Sequence, residues 1–303
     1  MFNAVPIWLK ALINVAGFLL FFIFFAGLGR ILFAYLLANI YGISLNQLYE
    51  LSSQPKHHDK LLLQELGGVI VEIVAVWLFP VLLGNKLTFK QLGINWKGKT
   101  KDFASGCLLG IILITAGFII MKIMGFVQVV KLEFHPIMFM SYIIFFVCVA
   151  ISEELMARGY VLSTLMKGMN KYVALSTSAL IFSGLHLMNN HIALVPLFNL
   201  VLAGYLLGMY FIFQKNLMFP IGLHFTWNFF QGAVFGFEVS GHSIQGIITQ
   251  NVMGNILWTG GEFGFEGSII AVPIVIAGIL FIYFCYSKKS SLEKESLSKL
   301  QED

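Results

Sequence analysis

The chain has 303 residues, of which 58% are hydrophobic and only 11% are charged. A soluble domain carries about 25% charged residues, so this composition excludes an ordinary water-soluble enzyme and assigns most of the chain to lipid. The net charge of +4 is no nucleic-acid signal here. In a membrane chain, positive charge matters through where it falls.

A bilayer span takes about 20 mostly apolar residues. Read in chain order, the apolar runs predict spans over residues 11–39, 61–84, 103–124, 136–166, 172–189, 191–213, 217–237 and 267–287. The first is long for a signal-peptide core and lacks a small-x-small cleavage pattern, so it reads as a retained span. The expected fold class is an all-α polytopic membrane protein, a bundle of about eight transmembrane helices. Residues 1–287 form a single transmembrane helical domain with a motif core at about 136–237, and 288–303 form a charged cytoplasmic tail.

Lysine placement orients the bundle. With the N-terminus inside, Lys10, Lys86, Lys90, Lys97, Lys99, Lys101, Lys167, Lys171, Lys215 and the tail lysines share the inner side. Lys56, Lys60, Lys122 and Lys131 fall on the outer side, and the loop 237–267 has no Lys or Arg. This is the positive-inside pattern of a multi-pass cell-membrane protein with both termini cytoplasmic.

Cys107, Cys148 and Cys285 lie inside apolar runs without C-x-x-C spacing, which fits packing rather than disulfides. Gly106 with Gly110, and Gly204 with Gly208, are G-x-x-x-G pairs that let helices approach closely in lipid.

The polar residues inside the spans carry the functional signal. "AISEELMARGY", residues 150–160, puts Glu153, Glu154 and Arg158 into an apolar run. An acid or base at the bilayer centre costs about 2.5–3.5 kcal/mol on insertion scales. Glu154 and Arg158 are i,i+4 and can pair on one face. Glu153 points about 100° away, toward the bundle interior, without that partner. Phe182 and His186 are i,i+4 in the fifth span, and His224 and Asn228 in the seventh. At about 1.5 Å rise per residue, Glu153, His186, His224 and Asn228 all fall roughly 12–21 Å deep. Three helices thus bring polar groups to similar depth, which predicts one buried polar cavity. Arg30 and Glu72 fall at comparable depth and can pair across an interface. Glu65 is placed near the outer surface, and Asn189 and His191 at a short turn by the cavity mouth.

A carboxylate beside a histidine in a shielded pocket suits activation of water, and a donor pair suits an oxyanion. Glu153 and His186 are the candidates for water, and His224 with Asn228 for the oxyanion. No G-x-S-x-G and no H-E-x-x-H occurs, so a serine mechanism and the simplest zinc-protease pattern both fail. Two histidines and a glutamate are also a zinc-binding set. The expectation is no cofactor and no metal ligand, with zinc left open. Two other function classes compete: a non-catalytic binding or immunity scaffold, and a proton-coupled transporter. The absence of an internal repeat weighs against the transporter.

"EELMAR" is E-E-x-x-x-R, "FSGLH" is F-x-x-x-H and "HFTWN" is H-x-x-x-N. In this order on successive spans they resemble the CPBP family, also called Abi, which includes type II CAAX prenyl endopeptidases and bacterial bacteriocin-processing or immunity proteins. "GGEFGFEGS" also resembles a glycine-rich loop before the last span of bacterial members. The resemblance implies an intramembrane endopeptidase of glutamic type acting on a peptide or protein substrate in or at the lipid bilayer. It implies Glu153 as the water-activating acid with His186 its partner, and His224 and Asn228 as the oxyanion pair. Glu154 and Arg158 take positioning roles, and Phe182 supports.

Overall fold

Helices that are apolar all round have no water-facing side, so lipid or other helices must cover them. The computed structural model describes residues 5–52, 58–84, 88 and 90–302. Lys56 and Lys86, used above for orientation, lie outside the described residues. The long helices are α1 (Ile7–Tyr41), α3 (His58–Leu82) and α4 (Thr100–Ile123), with short α2 (Leu45–Ser52) between the first two. Next, α5 (Pro136–Glu154) passes without a break into a π-helical stretch, Leu155–Leu162, and closes as α6 (Ser163–Leu165). Then come α7 (Lys171–Leu185), α8 (Leu194–Gln214) and α9 (Met218–Phe229), the last also followed by a π-helical turn, Phe230–Val234. A short α10 (Ile256–Thr259) precedes α11 (Ala271–Glu302), which carries helix on through the charged C-terminal segment.

Each of the eight apolar runs is thus centred on a helix, and the chain is an all-α multi-pass membrane protein. The count of spans needs refinement. Among the described residues, five helices are long and apolar enough to cross a bilayer: Ile7–Tyr41, Leu62–Leu82, Thr100–Ile123, Pro136–Leu165 and Leu194–Gln214. The 15 residues of α7 rise only about 22 Å, short of the roughly 30 Å hydrocarbon core. It stops because His186 leaves helical geometry at its C-cap, with φ −90° and ψ 2°. The apolar parts of α9 and α11 are likewise short.

One element departs from all-helical expectation. β1 (Val127–Leu132) and β2 (Ile248–Val252) form an antiparallel pair, with Val127 opposite Val252 and Leu132 opposite Ile248. The register shifts between Val129 and Lys131. The β-branched residues of both segments suit a pleated, half-buried surface.

Small residues set the helix spacing. α4 packs on α9, α1 on α3, and α7 and α11 on α8. A Cβ on Gly106 would lie 2.1 Å from the Phe219 carbonyl oxygen, and one on Gly110 would lie 2.6 Å from that of Leu223. Gly204 meets Ala179 of α7 in the same way, at 2.7 Å. Both G-x-x-x-G pairs are therefore packing faces, as expected.

The α4–α9 contact gives a direct test. Gly106→Val drives a branched side chain into α9 backbone, where no flexible side chain can yield. The expected cost is at least about 1–3 kcal/mol, read as a lower midpoint of thermal unfolding in detergent. Ala at the neighbouring exposed Ser105 should leave the midpoint unchanged.

Candidate active site

The site begins where charge enters α5. Glu154 and Arg158 have side chains 0% and 1% exposed, whereas Glu153 is 27% exposed and lines the central cavity. The two adjacent acids thus face different surroundings, as their 100° separation on a helix requires. Arg158 Nη1 donates to Glu154 Oε1 at 2.7 Å, and Nη2 donates to the Gly204 carbonyl at 3.1 Å. The small residue at 204 lets α8 present that carbonyl. Arg158 lies in the π-helical stretch, a rare geometry often found at functional sites.

Glu154 does more than pair with arginine. Its Oε1 also lies 2.9 Å from His224 Nδ1 on α9. An ionised carboxylate only accepts, so Nδ1 carries the proton and the ring is fixed with Nε2 toward the cavity. His224 Nε2 then sits 3.9 Å from Glu153 Oε2. A carboxylate–histidine pair of this kind sets tautomer and ring orientation.

His186 is held differently. Its Nδ1 lies 2.8 Å from the Phe182 carbonyl. A carbonyl can only accept, so Nδ1 is the N–H and Nε2 is left as an acceptor. That Nε2 is 4.0 Å from Glu153 Oε2. Phe182 also sets its ring 4.8 Å from the His186 ring, tilted by 52°, and takes the Arg158 guanidinium 4.6 Å above its face. The phenylalanine of F-x-x-x-H is therefore a spacer between the buried cation and the histidine.

Asn228, one turn beyond His224, lines the same cavity and makes no hydrogen bond among the described residues. The structure brings Glu153, His186, His224 and Asn228 to one cavity of about 690 Å³. Glu154 and Arg158 stand behind its wall. Ser183 is spent on the Leu197 carbonyl at 2.8 Å, away from this group.

Other walls come from residues that sequence reasoning left as structural. Arg30 of α1 bonds Glu65 at 3.1 Å and Glu72 at 2.9 Å, and Ser152 donates to Glu72 at 2.9 Å. This chain ends next to Glu153. Glu65, 29% exposed, lines the cavity with Arg30 and Glu72. Asn189 does reach the mouth, donating to the Ser240 carbonyl at 3.0 Å, while His191 pairs with Glu262 at 3.0 Å.

Tetrahedral zinc with nitrogen and oxygen ligands brings donors to about 3.4 Å from one another. The separations of 4.0 and 3.9 Å around Glu153 are wider. Among the described residues, no group of three or more His, Cys, Asp or Glu is arranged to hold a metal ion.

Residues 135–230 match the family model described as type II CAAX prenyl endopeptidase Rce1-like. That match covers about a third of the chain and supports assigning the segment to the CAAX-protease family. The family is one of proteases. No curated protein and no solved structure matches the chain. The Rce1-like segment runs from the start of α5 to the end of α9, so it holds all seven motif residues. Arg30, Glu65, Glu72, Ser240 and Glu266 line the Rce1-like cavity from outside that segment.

Arg158→Ala would leave Glu154 buried with half its partners gone. Breaking a buried pair in this way costs about 3–5 kcal/mol, measurable by reversible unfolding in mixed micelles. Arg158→Lys should not restore stability, because a point charge cannot reach Glu154 and Gly204 together.

Proposed function

We propose that the cavity hydrolyses peptide bonds of membrane-associated or lipidated substrates, with water activated by Glu153 and His186 and without metal. The observation that carries this reading is the fixed tautomer of His186. With Nδ1–H committed to Phe182, Nε2 and the Glu153 carboxylate are two acceptors 4.0 Å apart. That spacing is too long for a direct hydrogen bond and suits one water donating a hydrogen to each.

Glu153 takes one proton of that water as the oxygen adds to the peptide carbonyl carbon. The carbonyl oxygen becomes an oxyanion, for which Asn228 Nδ2 and His224 Nε2 are the donors. With Nδ1–H bonded to Glu154, Nε2 also donates when the ring is the imidazolium. Collapse of the oxyanion breaks the C–N bond. The proton held by Glu153 passes to the leaving nitrogen, giving a carboxylic acid and an amine, which then exchange a proton and leave as carboxylate and ammonium.

The largely apolar walls, including Phe22, Phe145, Phe146 and Trp227, support a substrate with a lipid or apolar segment, as the family description suggests. The lysine pattern supports a multi-pass cell-membrane protein with both termini cytoplasmic.

The decisive experiment compares membrane peptides from wild-type cells with those from a Glu153→Gln strain. Glu153→Gln should lose at least about 10²-fold in cleavage while inserting normally. A substrate cut equally in both strains would overturn the reading. Asn228→Ala should lower kcat by about 10²–10³ in single-turnover assays on the peptide so found. EDTA treatment should leave the purified enzyme active. Loss restored by zinc would shift the mechanism to a metal site.

A further inference from the structure

The loop after α9 folds back over the cavity through one tight turn, Val239–His242. Val239 N–H donates to the His242 carbonyl at 3.0 Å, and His242 N–H returns to that of Val239 at 2.9 Å. The two central residues, Ser240 and Gly241, have φ of 50° and 82°. This is a type I′ turn, which favours Asn-Gly or Gly-Gly at its centre. Serine is a costly choice there, since a non-glycine residue in the left-handed region stores about 1–3 kcal/mol.

The structure shows what serine supplies. Glu266, from the glycine-rich segment before α11, accepts from Ser240 N–H at 2.5 Å and from Ser240 Oγ at 2.9 Å on the same Oε1. Gln231 Nε2 donates to that oxygen at 3.2 Å. Gly241 N–H is taken by the Phe263 carbonyl at 3.1 Å, and a Cβ on Gly241 would lie 2.2 Å from the Asn190 carbonyl oxygen. Three separate stretches of chain thus clamp one turn.

His242 closes that turn and lines the cavity with Glu153 and His186. The charged and titratable groups that act on it are Glu65, Arg30, His186 and Glu153. Its side chain is exposed to the cavity, and partial desolvation by the surrounding protein holds its pKa below the ordinary histidine value. A neutral imidazole offers one donor and one acceptor, the pairing a peptide group requires.

Resting on the peptidase reading above, we propose that Glu266 is a positioning residue that acts through Ser240 to hold His242 where it binds the substrate backbone. Glu266 touches no reacting atom. Its effect reaches the substrate through the turn.

The test is a mutant cycle in proteoliposomes, using as probe a quenched-fluorescent peptide spanning the cleavage site found in the wild-type and Glu153→Gln comparison. His242→Ala should raise KM about tenfold, the loss of one good hydrogen bond, with a smaller change in kcat. Because Glu266 acts through His242 alone, Glu266→Leu should raise KM by no more than the same tenfold. Glu266→Gln keeps a carbonyl acceptor for Ser240 and should recover most of that loss. The double variant Glu266→Leu, His242→Ala should match His242→Ala alone, because both act through one group. Wild-type KM in His242→Ala, or losses that multiply in the double variant, would overturn the proposal while the peptidase reading stands. Activity retained by Glu153→Gln would overturn both. Should Glu266→Leu fail to fold, Ser240→Gly keeps the turn and its backbone bond to Glu266, loses the hydroxymethyl group with the Oγ bond, and should raise KM by less than His242→Ala does.

Discussion

One carboxylate organises this protein. Glu154 is sealed from solvent and holds a cation on its own helix and an imidazole on another. A buried charge is tolerated only when paired and hydrogen-bonded, so Arg158 and His224 are bound to it as strictly as it is to them. Arg158 in turn reaches α8 and stacks on α7 through Phe182. A single electrostatic requirement therefore locks four helices in register. Glu153 inherits a fixed position from its neighbour, although it makes no hydrogen bond of its own.

Helix packing makes that lock possible. Guanidinium, carboxylate and imidazole meet only if backbones come close, and the glycines at 106, 110 and 204 permit it. In lipid there is no hydrophobic drive between helices, so close packing and polar contacts must supply the association. The same glycines that tighten the bundle also expose carbonyl groups, such as that of Gly204, to side chains that need them.

Local spacing made much of the site legible. The i,i+4 pairs Glu154–Arg158, Phe182–His186 and His224–Asn228 are properties of a single helix, and each places its members on one face. The helix positions were legible for the same reason. What stayed hidden depends on pairing across the chain. Nothing local ties Glu154 to His224, which is 70 residues away. The β1–β2 pair joins segments more than a hundred residues apart, and no short-range pattern announces it. The Arg30–Glu72 pair was legible from common depth, and it forms at 2.9 Å, but that the pair and Glu65 line one cavity was not, because many elements assemble it. The glycine-rich stretch before α11 was visible as a motif, but its Glu266 gains meaning only once Ser240 is beside it.

The cavity wall is divided by origin. The groups that face the scissile bond in the proposed mechanism stand on α5, α7 and α9, while much of the remaining lining comes from α1, α3 and the segments flanking β2. In the proposed mechanism part of the substrate surface, such as Phe22 of α1, thus stands apart from the helices that carry the catalytic groups, while Phe145, Phe146 and Trp227 share those helices. A smaller or larger side chain at Phe22 would reshape the room for a substrate without replacing any group of that mechanism.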